Sequence, residues 1–246
     1  MVYQHLSRET AVYHKNDKNT AETLVTKKVS IVLRPFNKIM ETQERIVNKA
    51  HELFMRYGIR SVSMDEVANQ LGMSKKTIYQ FYADKDALVE DVIDIEINSN
   101  QAECTSHKEK SENAIHEIFM AVDMLLDLLT KMNPAVIFDL DKYHPKAFKK
   151  YNDYKNKFLY TIIKENLEWG KTDGLYREEI QTGILARFRL ASMFLIFNPE
   201  LFPLGKHSLP MVITEMTDNF LYGLASAKGQ KLIQKYKLQR QKPITL

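Results

Sequence analysis

Between Ser63 and Ser74 the chain holds two helix starts and one helix stop, a spacing that leaves little choice of local structure. Ser63 followed by Glu66 is a reciprocal capping pair. Val67, Ala68 and Leu71 then share one helical face, and Gly72 stands where a helix ends in a left-handed residue. Ser74 caps a second helix, on which Ile78 and either Phe81 or Tyr82 return to the apolar side. Two short helices joined by a turn of about three residues form a helix-turn-helix. Ala68, Gly72 and Ile78 fill the three positions that steric logic constrains: a small side chain at the helix crossing, a turn residue free of Cβ strain, and an inward branched residue.

Charge adds a second observation. Lys75 and Lys76 occupy the first turn of the second helix, and Lys85 the first turn of the next, behind Asp84 as a cap. Cations there oppose the helix macrodipole by roughly 0.3–1 kcal/mol each. An anion lying across both helix starts reverses the sign, because free N–H groups and lysines then face the same phosphates. Solvated lysines on an ordinary helix hairpin are the alternative, and the residues alone leave both open.

Thr42 to Leu88 resembles the DNA-binding domain of the TetR/AcrR family of bacterial transcriptional regulators. The resemblance is carried by Arg45-Ile46, Ala50, Leu53-Phe54, Gly58, Val67-Ala68, Gly72-Met73-Ser74, Thr77-Ile78-Tyr79, Lys85 and Leu88. Two positions depart from it: Lys76 stands where the family often has Gly, and Phe81-Tyr82 where it often has His-Phe. The resemblance implies that Lys75, Lys76, Thr77 and Gln80 meet base edges or nearby phosphates, with Ser63, Ser74, Tyr79 and Lys85 on backbone phosphates.

The fold expected is all-α: an N-terminal three-helix head over 41–88, then a larger helical effector-binding and dimerisation body over 89–228. Thr42 to Tyr57 carries Ile46, Val47, Ala50, Leu53, Phe54 and Tyr57 on one stripe, with Gly58 as its stop. A fourth helix runs from Asp84 to about Gln101. The polar stretch Cys104 to Ser111 after it reads as a hinge, although one helix is free to cross it. Further helices are expected from Ile115 to before Pro134, from Phe138 to Tyr151 and from Tyr154 to Trp169, with a turn over Gly170 to Ile180. Ile184 to Phe197 is apolar almost all round, interrupted chiefly by Arg187 and Arg189, so it is expected to be buried. Pro210 to Lys228 supplies a last helix. As the resemblance implies, these two carry a homodimer interface; closing the body's own core is the other reading.

Both ends are polar. Residues 1–40 are expected to be an extension: a flexible arm, a short element packing on the body, or the product of a start codon chosen upstream of Met40. The tail over 229–246 is basic, and from Lys228 onward it has six Lys+Arg and no acid; a solvated, frayed end is expected. The head itself is not basic, with seven Lys+Arg against eight Asp+Glu over Glu41 to Glu90, so any positive surface for DNA must be local.

The single cysteine, Cys104, excludes an internal disulfide framework and a Cys-based zinc site, which suits the cytoplasm. No apolar run approaches the roughly 18 residues of a membrane span. Neither a cofactor nor a metal site is expected; Asp139, Asp141 and His144 read as a solvated helical turn, because positions two apart do not share a face. Ala135 to Asp141 does resemble the Asp-x-Asp nucleophile strand of haloacid dehalogenase-type phosphatases, but the later motif segments and the alternating strands are missing. A helical interaction protein without specific DNA binding is the remaining alternative. For a small-molecule effector, Phe138, Tyr143, Phe158, Trp169 and Phe188 are candidate pocket residues, with Phe148, Tyr160 and Phe194 beside them; core packing explains each as well.

Overall fold

The computed structural model describes residues 39–198, 200–203 and 206–241. The chain divides into two units, 1–45 and 46–246. Of the first, residues 39–45 are described and are helical; the rest of the expected extension, 1–38, lies outside the described residues.

The second unit is built from helices. Helix α1 spans 39–57, of which 46–57 belong to this unit. Next come α2 (Met64–Leu71), α3 (Lys75–Phe81), α4 (Lys85–Lys110) and α5 (Ala114–Lys131). They are followed by α6 (Ala135–Tyr143), α7 (Pro145–Tyr154), α8 (Tyr160–Thr172), α9 (Thr182–Leu195), α10 (Leu209–Leu224) and α11 (Ala227–Gln241). A π-helical turn, Lys155–Leu159, joins α7 to α8. Among the described residues the one extended pairing is an isolated bridge between Tyr176 and Ala225, and no helix is long and apolar enough to cross a membrane.

The head forms as its caps dictate. Glu66 N–H donates to Ser63 Oγ at 3.1 Å, Thr77 N–H to Ser74 Oγ at 3.1 Å and Ala87 N–H to Asp84 Oδ1 at 2.8 Å. Gly72 closes α2 at φ 63°, where an added Cβ would meet nothing within 4 Å, so the backbone conformation alone calls for glycine. Ile46, Val47, Ala50, Leu53 and Phe54 of α1 bury against Val67, Ala68, Ile78, Tyr82 and Leu88. Caps contribute about 1 kcal/mol each and large buried apolar side chains about 1.5–3, so the caps set the boundaries while the core holds the head together. Tyr57 departs from the expected stripe; it is exposed, with Arg56 stacked on its ring.

This core continues into the body through Met132, Val136, Leu140 and Ala147. Two buried polar residues of the α6–α7 corner tie the same parts together. Asp139 Oδ2 accepts from Arg60 N–H at 2.8 Å, and His144 Nδ1 lies 2.6 Å from Asp86 Oδ1. Asp139 and His144 are therefore anchors between elements rather than a solvated turn; only Asp141 is exposed.

Four other expectations are corrected, and the phosphatase alternative, already set aside, loses its strand. Helix α4 does not stop near Gln101: the stretch read as a hinge is helical to Lys110, since nothing in it breaks a helix. The helix expected over Phe138 to Tyr151 is two, because Pro145 lacks an N–H and holds His144 out of helical geometry at ψ 65°. Ala135 to Asp141 lies in α6 rather than on a strand, which removes the nucleophile strand of the phosphatase alternative. Helix α9 is only partly buried, with Ile184 68% and Phe188 58% exposed, because it packs through Ala186, Arg189 and Leu190 and turns the opposite face outward. Residues 229–241 are no frayed tail but part of α11: Ile233 and Tyr236 are buried, Tyr236 Oη donates to Glu112, and Arg240 pairs with Asp123. Gly229 permits this docking, since a Cβ there would collide with the Leu175 carbonyl oxygen.

Candidate nucleic-acid interface and body cavity

Helix α3 turns Ile78 fully into the head core and leaves Lys75, Lys76, Tyr79 and Gln80 on the outside, Tyr79 being 43% exposed. Ser74 Oγ also lies 2.8 Å from Thr77 Oγ1, so both hydroxyls stand at the start of α3. Ser63 is likewise exposed at the start of α2.

The three lysines differ. Lys75 Nζ lies 2.8 Å from Asp65 on α2, and this partner raises its pKa. The hairpin thus supplies its own counter-charge for one cation at the α3 start. Lys76 is exposed and among the described residues carries no ion pair. Lys85 donates from Nζ to the Ile59 carbonyl at 2.6 Å, beneath the α1–α2 loop and 5.8 Å from the Phe54 ring. Burial pulls its pKa below the ordinary lysine value, against the opposing pull of Asp139 and Asp86. Its ammonium anchors the loop within the chain.

The body contains a cavity of about 210 Å³, walled by α4, α5, α8 and α9 and reached by Met55 of α1 and by Val136, Ile137 and Leu140 of α6. Half of the lining residues are Met, Leu or Ile, with a few polar groups set among them. Glu96 accepts from Asn100 Nδ2 at 3.1 Å and lies 2.8 Å from His51 Nε2. Burial pushes its carboxyl up, but the His51 and Asn100 bonds outweigh this and leave it below the ordinary carboxylate value. Glu117 is 5% exposed and accepts from Asn166 Nδ2 at 2.7 Å. Burial raises its pKa, and the Asn166 bond only partly offsets that. Arg189 donates to Thr217 Oγ1 at 3.0 Å and lies 5.0 Å over the Phe220 ring; burial lowers it to about 10. Burial pushes the Cys104 thiol up to about 11, and it also raises the Tyr151 and Tyr154 phenols.

None of the five aromatic pocket candidates lines this cavity. Phe138 is 59% exposed beneath Lys142, Tyr143 lies under Arg60 and Lys142, and Phe188 faces outward on α9. Phe158 stacks on Tyr154 at 5.6 Å, and Trp169 packs into a separate core of α5, α8 and α10. Helical phase decides this: α8 reaches the cavity through Ile162, Ile163 and Asn166, and Trp169 falls on another face. Of the wider aromatic set Phe194 does line it. The signal that marked the cavity was polar residues on otherwise apolar faces: Glu117, Asn166, Arg189, and Glu96, Asn100 and His107 along α4.

A three-helix head whose second hairpin helix presents a polar outer face is the helix-turn-helix class of DNA-binding protein. Residues 46–92 match the family model "Bacterial regulatory proteins, tetR family". The chain is similar to the uncharacterized HTH-type transcriptional regulator YvaF of Bacillus subtilis (strain 168), at 26% identity over 194 residues, covering 74% of this chain and 95% of that protein. In fold it is similar to a putative transcriptional regulator from Saccharomonospora viridis in complex with choline, with TM-score 0.65, 18% identity, and coverage of 76% of this chain and 99% of that one. A TetR transcriptional regulator from Chloroflexus aurantiacus J-10-FL is similar too, with TM-score 0.64, 17% identity, and coverage of 78% and 100%. Residues 46–92 are thus a DNA-binding domain of the tetR family, and the chain is a DNA-binding transcriptional regulator.

Proposed function

We propose that this regulator is a cytoplasmic, ligand-responsive repressor that binds a pseudo-palindromic operator as a homodimer. The observation that carries the reading is the outward polar face of α3, in a head whose core runs on into a body with a cavity along α4. Lys75, Lys76, Thr77 and Gln80 are assigned to base edges and adjacent phosphates, Gln80 being suited to adenine. Ser63, Ser74, Tyr79 and Lys85 are assigned to the backbone. For Lys85 this requires the ammonium to leave the Ile59 carbonyl when DNA arrives.

The dimer is assigned to α9 and α10, where Ile184, Phe188, Leu195, Met211 and Tyr222 form an exposed apolar set. Two α3 helices held about 34–36 Å apart would then enter successive major grooves. Helix α4 carries head residues at one end and cavity wall at the other, so an effector in the cavity acts on the spacing through α4. A swing from 1:99 to 99:1 requires about 5.5 kcal/mol of differential affinity. The choline held by the S. viridis protein supports the reading that a small molecule is the effector.

Genomic footprinting, including the DNA upstream of the chain's own gene, tests the reading. Protection of a two-fold symmetric site that is lost in a Gln80→Ala, Lys76→Ala double variant is expected. Uniform, sequence-independent protection overturns it.

A further inference from the structure

The cavity wall divides by chemistry. Helix α4 supplies Glu96, Asn100, Cys104 and His107, a polar stripe at helical spacing, while Met124, Leu125, Leu128, Ile162 and Ile163 make much of the opposite walls apolar. The stripe and its neighbour Glu117 are rich in acceptors. The bonds to Glu96 come from His51 and Asn100, and the bond to Glu117 from the neutral amide of Asn166. Among the described residues neither carboxylate is ion-paired with a lysine or an arginine. The one guanidinium in the wall, Arg189, is engaged by Thr217 and the Phe220 ring.

Glu96 is the better satisfied of the two, with two partners of its own. Glu117 is more deeply buried and has the one amide. A buried carboxylate with no salt-bridged partner is costly to keep; burial raises its pKa, and the attraction of Lys108, itself paired with Glu165, offsets only part of that. Close to it, His107 Nδ1 is buried with no hydrogen-bond partner. His107 Nε2 lies 3.8 Å from Glu103, beyond hydrogen-bond range, so the neutral ring is free to carry its proton there and offer Nδ1 as an acceptor. The Tyr151 and Tyr154 rings also line the cavity, and aromatic rings attract cations. The wall's one guanidinium, Arg189, is spent on Thr217 and Phe220 and forms no ion pair with either carboxylate, and there is apolar surface to spare.

Building on the effector reading above, we propose that the cavity takes a protonated lipophilic amine, its ammonium donating to Glu117 and His107 Nδ1 and its hydrocarbon lying along α5, α8 and α9. The charge distinguishes this ligand from a fatty acid or a neutral alcohol of equal length, which would meet the same apolar wall without relieving the carboxylate.

Titration calorimetry of the full chain with octylamine, octanol and octanoate at neutral pH tests the proposal. Octylamine is expected to bind at least tenfold more tightly than the other two. Glu117→Gln, which keeps the side chain's shape, is expected to remove that preference while leaving octanol binding unchanged, and His107→Leu to weaken octylamine at least threefold in a chain of unaltered helicity. If octanol or octanoate binds as well as octylamine, or the preference survives Glu117→Gln, the amine assignment is wrong while the cavity remains an effector site. If none of the three binds, the effector-site reading itself fails.

Discussion

The head and the body solve the packing problem in opposite ways. In the head, caps and a left-handed glycine fix each helix end, and the interior is closed around Ile46, Val67 and Ile78, all fully buried. In the body, longer helices enclose open space and keep Glu117, Asn166 and Arg189 buried. The first arrangement is rigid enough to present α3 to a partner. The second holds ionisable groups whose energy depends on what else is present. The contrast teaches where this chain places stability and where it gives stability up for recognition.

Truncation should show the contrast most strongly. Ile78→Ala is expected to cost about 2–5 kcal/mol, measured by urea denaturation, because the head has no slack to collapse into. A loss below 1 kcal/mol would mean that the head is as loosely packed as the body. Overpacking sharpens the comparison from the other side. Ala68→Leu at the close crossing of the hairpin is expected to cost about 1–3 kcal/mol. Val122→Leu at the cavity wall should be tolerated within about 1 kcal/mol, since the added methylene enters open space.

A smaller effect of opposite sign is expected at Glu117. Its folded pKa lies above its unfolded value, so its stabilising contribution is present at low pH and is lost as pH rises through the folded value. Glu117→Gln should therefore stabilise the chain at neutral pH by about 1 kcal/mol, a Tm gain of roughly 2–4 °C. That gain should vanish below about pH 4, where the unfolded glutamate is protonated as well. A loss of stability at neutral pH would show that the Asn166 bond outweighs the burial.

Lys85→Ala frees the Ile59 carbonyl, a loss of about 1 kcal/mol, and reports chiefly on DNA. Binding to all sequences should weaken, with the salt slope falling by about one ion. A base-specific loss at unchanged slope would leave Lys85 as a loop anchor alone.

The head was legible because its signals are local: Ser63, Gly72, Ser74 and Asp84 each act within one helical turn. The body was less so, because its decisive features are long-range. The polar stripe of α4 ends an apolar pattern at Ile97 and so looks like a hinge, yet its polar residues face the interior. The apolar circumference of α9 signals burial, although a single chain covers only part of it. In α11, basic residues hide the buried pair Ile233 and Tyr236, and the hydrogen-bond partner of Tyr236 lies more than a hundred residues away. Aromatic content pointed to the wrong pocket residues, since composition carries no helical phase.

The salt dependence of duplex binding by the full chain and by its Lys75→Ala, Lys76→Ala double variant tests the central claim most directly. If α3 faces a duplex, the slope of log affinity against log salt should fall by about two ions in the variant, across specific and nonspecific sequences alike. An unchanged slope would mean that these two ammonium groups never meet phosphate and that another surface carries the binding.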